Sequence, residues 1–441
     1  MIVDLIIVAS VLIYCSKVYK WHEYPSATAI ILVLYSLYVY GGAIYTYHLY
    51  NAREWDLSDR FGATVNLIRV GFVSLVAACI LANKIIPRAR IQDKSVIANS
   101  YKSEKTAVTL FAVFSFAIGI LYLYAVPSVP LRYLFLDSEL LAAAREEATT
   151  TYRYFIYFSN FIYGYIPIVT MYYYFVGDKF KFLSLFALLF TLSIATGQKA
   201  PVVYLVILLM LSVSLKHKKM YLYRYALSLF CIFLLLAGFV FYENRYLNES
   251  ISSEAIMPIV DGLMLRIFGG SKTLVAYIEY FPLHENFSFF SASKVPLDQN
   301  VYRYMYPGSP IVGSANAVFL GNLYALTGNF LIIGIIALLG FLLVFYLDNY
   351  WFNKMESNLH YALYVFFSIT CLKFILTDYN TAFTNFSYPI FSLYGYVLLF
   401  SSLKNKGVVN ARPFNKVIAY LSIIMFLYVF QGQIRGIFLS K

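Results

Sequence analysis

Residues 182–215 read FLSLFALLFTLSIATGQKAPVVYLVILLMLSVSL, and Lys199 is the one charged side chain in the run. A single helix over this stretch would be about 50 Å long at 1.5 Å per residue. That is too long for one crossing of roughly 30 Å of hydrocarbon. Gly197 and Pro201 supply a stop and a start. The run therefore predicts two membrane helices, 180–197 and 200–216, joined by the tight turn Thr196-Gly197-Gln198-Lys199-Ala200-Pro201.

Working outward from that pair, the same criterion of about 20 mostly apolar residues predicts further helices. They fall at 2–18, 26–48, 62–82, 106–126, 153–176, 221–242, 316–347, 359–377, 386–403 and 416–436. The expected architecture is all-α, one polytopic membrane domain of about twelve spans over residues 1–441. Small residues around 311–327 (Gly313, Ser314, Ala315, Ala317, Gly321) make that stretch either a re-entrant piece or the outer end of a long tilted helix.

Composition agrees. Hydrophobic residues are 61% of the chain, charged residues 13%, and mean hydropathy is +0.69. Soluble domains carry roughly 25% charged residues, so this chain has too little polar surface to fold as one. The net charge of +12 follows from basic cytoplasmic loops, and no soluble basic face suggests nucleic-acid binding. Cys15, Cys79, Cys231 and Cys371 all lie inside predicted spans, without CxxC or metal spacing. They read as small buried hydrophobes. No basic region precedes the first apolar run, and Asp4 stands where a signal peptide carries positive charge, so residues 2–16 read as a retained helix.

Orientation follows from the positive-inside rule. With the loop after the first helix placed inside, the short inner loops hold nineteen of the 34 Lys and Arg residues. Both termini and the long loop 243–310 then lie outside. Within that loop, Ala255 to Phe281 has helical apolar spacing and predicts an amphipathic helix or helix pair. Pro282 to Pro310, rich in Ser, Pro, Asn and Tyr, predicts irregular structure.

Candidate chemistry comes from the depth of the cations. Arg69 lies about 10 Å inside the outer start of its helix and Lys373 about 7 Å from an outer end. Lys199 sits at an outer tip, and Arg245 directly follows the eighth span. Arg266, Lys272 and Arg303 belong to the long outer loop. Two readings of Arg69 and Lys373 stay open: side chains that snorkel to headgroups, or intramembrane charges with a function. Taken together, cations confined to the outer half predict an anionic ligand there, with a lipid diphosphate the obvious candidate.

Lys199 precedes Pro201, a residue suited to a first helical turn. Its ammonium and the free N–H groups of an inward-running helix would converge on an anion; the alternative is a plain turn with an exposed Lys. On a helix, Gly269, Gly270 and Thr273 share the face of Arg266 and would clear an approach to its guanidinium, which suits bidentate phosphate contact. The alternative is a helix break at the Gly pair. Asp261 and Glu279 read as solvated carboxylates, whereas His284 and Glu285 follow Pro282 in a stretch able to fold back over the membrane. Histidine is the side-chain type suited to proton transfer at neutral pH, and His284 is the candidate base, or hydrogen-bonding partner, for an acceptor hydroxyl. Some of the 43 Tyr and 39 Phe residues would stack on sugars in the outer loop, without composition saying which.

Three stretches resemble the Wzy-type polysaccharide polymerases, the repeat-unit polymerases of bacterial O-antigen, capsule and exopolysaccharide pathways. They are Ala195-Thr196-Gly197-Gln198-Lys199-Ala200-Pro201, Leu265-Arg266-Ile267-Phe268-Gly269-Gly270 and Phe319-Leu320-Gly321-Asn322-Leu323-Tyr324-Ala325-Leu326-Thr327-Gly328-Asn329. The layout of many helices with a long outer loop in the second half is similar too. Two departures stand out: Lys199 replaces the commoner Arg, and Asn322 stands where an acidic residue is frequent.

The resemblance implies a glycosyltransferase C-like fold in the bacterial cytoplasmic (inner) membrane and a reaction at its outer face. A glycan on polyprenyl (undecaprenyl) diphosphate would move onto a new lipid-linked repeat unit, with no metal or other cofactor. A flippase and a chain-length regulator of the same pathway would be partners. A lipid-linked glycan ligase or other polyprenyl-phosphosugar glycosyltransferase would share donor and layout. A flippase or transporter would need polar residues through both halves of the membrane.

Overall fold

The structure, a computed structural model, describes residues 2–19, 21, 24, 26–52, 60–89, 102–133, 138–149, 155–196, 199–218, 270–287, 297–307, 315, 318–376 and 388–404. Every regular element among them is helical. In chain order these are α1 (Ile2–Val18), α2 (Ala27–Leu34), α3 (Gly42–Ala52), α4 (Phe61–Ile85), α5 (Lys102–Ala125), α6 (Ser138–Ala148), α7 (Phe155–Asn160) and α8 (Ile166–Val176). There follow α9 (Lys179–Ala195), α10 (Lys199–His217), α11 (Gly270–Tyr280), α12 (Leu297–Met305), α13 (Phe319–Thr327), α14 (Phe330–Asn353), α15 (Asn358–Leu376) and α16 (Tyr388–Lys404). Among the described residues, four helices are long and apolar enough to cross a membrane: Ala27–Tyr47, Phe61–Ile85, Glu104–Ala125 and Phe330–Asn353. The predicted spans 221–242 and 416–436 lie outside the described residues, as does Cys231.

Local chemistry sets the ends of the elements. Ser26 caps α2 by accepting from the Ala29 N–H at 3.0 Å. A π-helical segment, Tyr35–Gly41, links α2 to α3 without a break. A second, Phe161–Tyr165, links α7 to α8 just ahead of Pro167. Proline lacks an N–H and crowds the carbonyl four residues earlier, here that of Tyr163, and the wider turn relieves both problems. Gly177 (φ 84°) ends α8 in the left-handed region, and Asp178 caps α9 by accepting from the Lys181 N–H. The predicted break between α9 and α10 is present, with Thr196 closing one helix and Pro201 in the first turn of the other.

Two sequence expectations change. The single span at 316–347 is two helices. Gly328 (φ 62°) ends α13, and Asn329 starts α14 by accepting from the Leu331 and Ile332 N–H groups. The consecutive C-terminal Gly and N-cap Asn outweigh the continuous hydropathy. The stretch 282–310 is not irregular throughout either, because it contains α12. Pro296 and Asp298 are helix-start signals, and the helix buries Val301.

The chain packs as two compact units, each discontinuous in sequence. The first comprises residues 1–93, 248–354 and 371–382, and the second 94–247, 355–370 and 383–441. The centre of the first unit is the pair α4 and α14. The Ser74 hydroxyl donates to the Gly334 carbonyl at 3.0 Å, and Arg88 meets Asp348 at 3.1 Å. Both contacts have the same sequence offset, so the two helices run parallel. As the third and ninth predicted spans, they should share a direction. The approach is close at Gly334 of α14, where a Cβ would lie 3.0 Å from Val70 Cγ1 and 3.5 Å from Ser74 Oγ on α4. Small residues let helix backbones approach closely where lipid supplies no hydrophobic drive. The buried Tyr35 hydroxyl fills the space that a side chain at Gly71 would need and donates to the Ile68 carbonyl.

The second unit is built on Tyr122, Ile162, Ile166, Leu188, Leu192 and Leu205, from five helical segments. Interhelical hydrogen bonds add to it. Tyr165 Oη lies 2.7 Å from Ser392 Oγ, and Thr109 Oγ1 lies 3.0 Å from Tyr173 Oη. Such bonds contribute about 0.6 kcal/mol each in membranes.

Candidate functional site

The part of the long loop that the structure describes is a cap on the first unit, at the end where α4 and α14 begin. Its first element, α11, is not a surface helix. Leu274 to Ile278 are all buried, and Ser271 Oγ lies 2.8 Å from Thr46 Oγ1 on α3. The Tyr277 hydroxyl donates to the Ala315 carbonyl at 3.2 Å, and the Ala315 N–H donates to the Asp298 carbonyl in α12. These bonds tie α11, α12 and the approach to α13 into one piece.

After α11 the chain turns back on itself. The His284 N–H donates to the Tyr280 carbonyl at 2.9 Å. Phe287 then stacks on Phe281, meets Tyr324 edge-on, and lies where a Cβ on Gly328 would go. Gly328 therefore satisfies two demands at once, a left-handed backbone and the room Phe287 takes.

Three rings meet on the cap. His284 lies 5.3 Å from Tyr280 and 5.0 Å from Tyr304, and the two tyrosines are 5.7 Å apart edge to face. The Glu285 carboxylate stands beside Tyr280, and Glu279 near Tyr304. Burial first, and these carboxylates second, push both phenols above their usual pKa, so each remains a hydrogen-bond donor. Next to this trio, the Lys272 ammonium lies 5.6 Å from the Tyr306 ring centre, within cation–π range. Tyr302 packs on Tyr306 at 5.0 Å, and Arg303 is exposed between them on α12.

Comparison with protein-family models, with curated proteins and with solved structures found no match.

Of the cations singled out by sequence, Lys272 is on α11 against Tyr306 and Arg303 is exposed on α12, the helix that also carries the Tyr304 partner of His284. Arg69 is not a free cation. Its guanidinium forks onto Asp4, at 3.1 Å from Nε to Oδ1 and 2.9 Å from Nη2 to Oδ2, and it also donates to Asn66. Its side chain is 46% exposed, so it faces outward from the unit with its charge offset. Lys373 is 7% exposed in the last turn of α15 and is engaged within the protein. Lys199 opens α10, two residues before Pro201. Arg245 and Arg266 lie outside the described residues.

The second unit holds a small, partly open cavity of about 20 Å³, room for about one water molecule, near the start of α10. Its walls include Ile162, Pro167, Leu189, Pro201, Leu205 and Phe366, and its polar groups are Tyr163, Ser193 and Tyr204. Pro201 is part of both turn and wall, so the first turn of α10 borders an apolar space.

Sequence reasoning missed several features. Asp4 and Asp348 went unmatched to their arginines. The specific tyrosines of the cap were lost among 43. Their one local signal was Tyr302 and Tyr306 at helical spacing beside the start signals of α12. Asn322, on α13, is buried with an amide nitrogen that has no hydrogen-bond partner.

Proposed function

We propose that this protein is a membrane glycosyltransferase that polymerises polyprenyl-diphosphate-linked oligosaccharide repeat units at the outer face of the bacterial cytoplasmic membrane. The supporting observation is the cap, where the long loop packs on the first unit and holds Lys272 against the Tyr306 ring and His284 against Tyr280 and Tyr304. Cations and rings on one surface suit a ligand that is part phosphate and part sugar. In this reading the twelve predicted spans form a glycosyltransferase C-like bundle. From the sequence, Lys199, Arg266, Lys272, Arg303 and Arg245 are the cations expected to offset the charge of the departing diphosphate. Fixed cations act best where charge develops, in a site from which water is excluded.

The buried Lys373 adds positive charge at the end of an apolar helix, where a charge is costly and usually functional. Arg69 can join only by loosening its hold on Asp4. His284, with its ring held by Tyr280 and Tyr304, is positioned to accept a proton from, or hydrogen-bond, the acceptor hydroxyl.

The test is incubation of the purified protein with synthetic lipid-diphosphate repeat units in the presence of a chelator, resolved on a gel. A ladder of lengthening products is expected. A single transfer onto a different acceptor lipid would indicate a ligase. Movement of substrate across vesicles without new bonds would indicate a flippase.

A further inference from the structure

The cap carries more aromatic surface than its packing requires. Tyr304 is 38% exposed and Tyr306 43%, and the His284 side chain is exposed as well. Large rings left open on a folded surface mark binding sites more often than accident when they cluster. These cluster, and they are held rigid. Tyr304 is on α12, Tyr280 ends α11, and His284 is tied back by its backbone to Tyr280.

The chemistry around the rings selects among ligands. An aromatic face is electron-rich and attracts the C–H face of a pyranose, whose rim carries hydroxyls. Glu279 and Glu285 stand at the edges of Tyr304 and Tyr280 and accept from such hydroxyls. The phenol groups donate. An interfacial aromatic belt explains exposed tyrosines in many membrane proteins, but here the Lys272 cation lies over Tyr306, whereas the carboxylates of Glu285 and Glu279 act on Tyr280 and Tyr304, which makes that pair of rings a poor seat for an anionic headgroup. The same carboxylates disfavour a sugar that carries its own carboxylate.

We propose that Tyr304 and His284, backed by Tyr280 and flanked by Glu279 and Glu285, form a platform for an uncharged pyranose ring of the acceptor glycan. This rests on the polymerase reading for the word acceptor, and the experiment separates the two ideas. The probe is a set of oligosaccharides released by mild acid from the host's own surface glycan, added to purified full-length protein. Saturation-transfer NMR reads contact with the sugar, and the gel ladder reads polymerisation in parallel.

Wild type should transfer saturation to ring protons of one residue. Tyr304→Ala should weaken binding at least about tenfold, equivalent to roughly 1.4 kcal/mol, and raise the acceptor KM with little change in kcat. Tyr304→Phe, which keeps the ring face and loses one donor, should weaken binding far less than Tyr304→Ala. If Tyr304→Ala is not recovered folded, His284→Ala removes the neighbouring ring and should weaken binding likewise. Absence of transfer in the wild type, or equal binding by the Ala variants, overturns the platform. So does a variant whose only defect is weaker association with vesicles, which would assign the rings to the bilayer. A Tyr304-dependent sugar signal without any ladder would leave the platform standing and remove the polymerase. A ladder with an unchanged acceptor KM in Tyr304→Ala would do the reverse.

Discussion

Arg88 and Asp348 form a buried ion pair that locks the ends of two parallel helices, with 3.1 Å between Nη1 and Oδ2. The same oxygen accepts from the Thr28 hydroxyl at 2.7 Å and the Thr28 N–H at 3.1 Å. The Arg88 guanidinium lies flat over Phe352, 3.8 Å from its centre. Nearby, Asn349 donates to the Asn83 side chain and the Ile86 carbonyl. Asn353 holds the chain on from there, accepting from the Ala89 N–H and donating to the Pro87 carbonyl. Removing one partner of a buried pair strands the other charge, which costs about 3–5 kcal/mol. Arg88→Ala should therefore lower the melting temperature in detergent sharply. Replacing both residues by apolar ones of similar size should restore most of it. A melting curve unchanged in Arg88→Ala would show that the pair contributes nothing.

Gly328 offers a second stability test. Alanine there meets both a left-handed backbone and the Phe287 ring. A loss on the order of 1–3 kcal/mol is expected from strain and overpacking. Phe287→Ala should relieve only the steric part, so the double variant should be better than the sum of the singles. Strict additivity in the thermal denaturation data would mean that Phe287 does not press on this turn.

For the reaction, Lys199→Ala and Arg266→Ala should each reduce polymer formation by orders of magnitude while leaving expression intact. Lys199→Arg should remain active, since arginine binds phosphate at least as well. Near-normal polymer from both alanine variants would remove the diphosphate site. Asp4→Ala, which frees the Arg69 fork, should leave turnover closer to normal than either.

His284→Ala should cost at least about tenfold in polymer formation, below the 100-fold or more of a full general base. A wild-type rate with an unchanged pH profile would leave diphosphate departure, assisted by the cations, as the main driver.

Orientation can be checked with single cysteines at Ser95 and Ser291. An impermeant thiol reagent added outside should label position 291 and spare position 95. Labelling at position 95 from outside would invert the arrangement.

The sequence by itself determined that the chain is helical and apolar enough for the membrane. It also placed the α9–α10 break, because hydropathy and the start and stop signals at Gly197 and Pro201 are local properties. The break at Gly328-Asn329 was equally local, and was passed over because apolar residues continue on both sides. Which charges are free was beyond its reach. Asp4 meets Arg69 and Asp348 meets Arg88 only because α1 packs near α4 and α14 runs alongside it. Lys373 reads in sequence as a lysine near a helix end, and the packing around that end buries it. The rings of the cap were likewise decided in three dimensions. A tyrosine's partners depend on which helix faces it, and Tyr280, His284 and Tyr304 come together only when α11 and α12 dock on the same end of the unit.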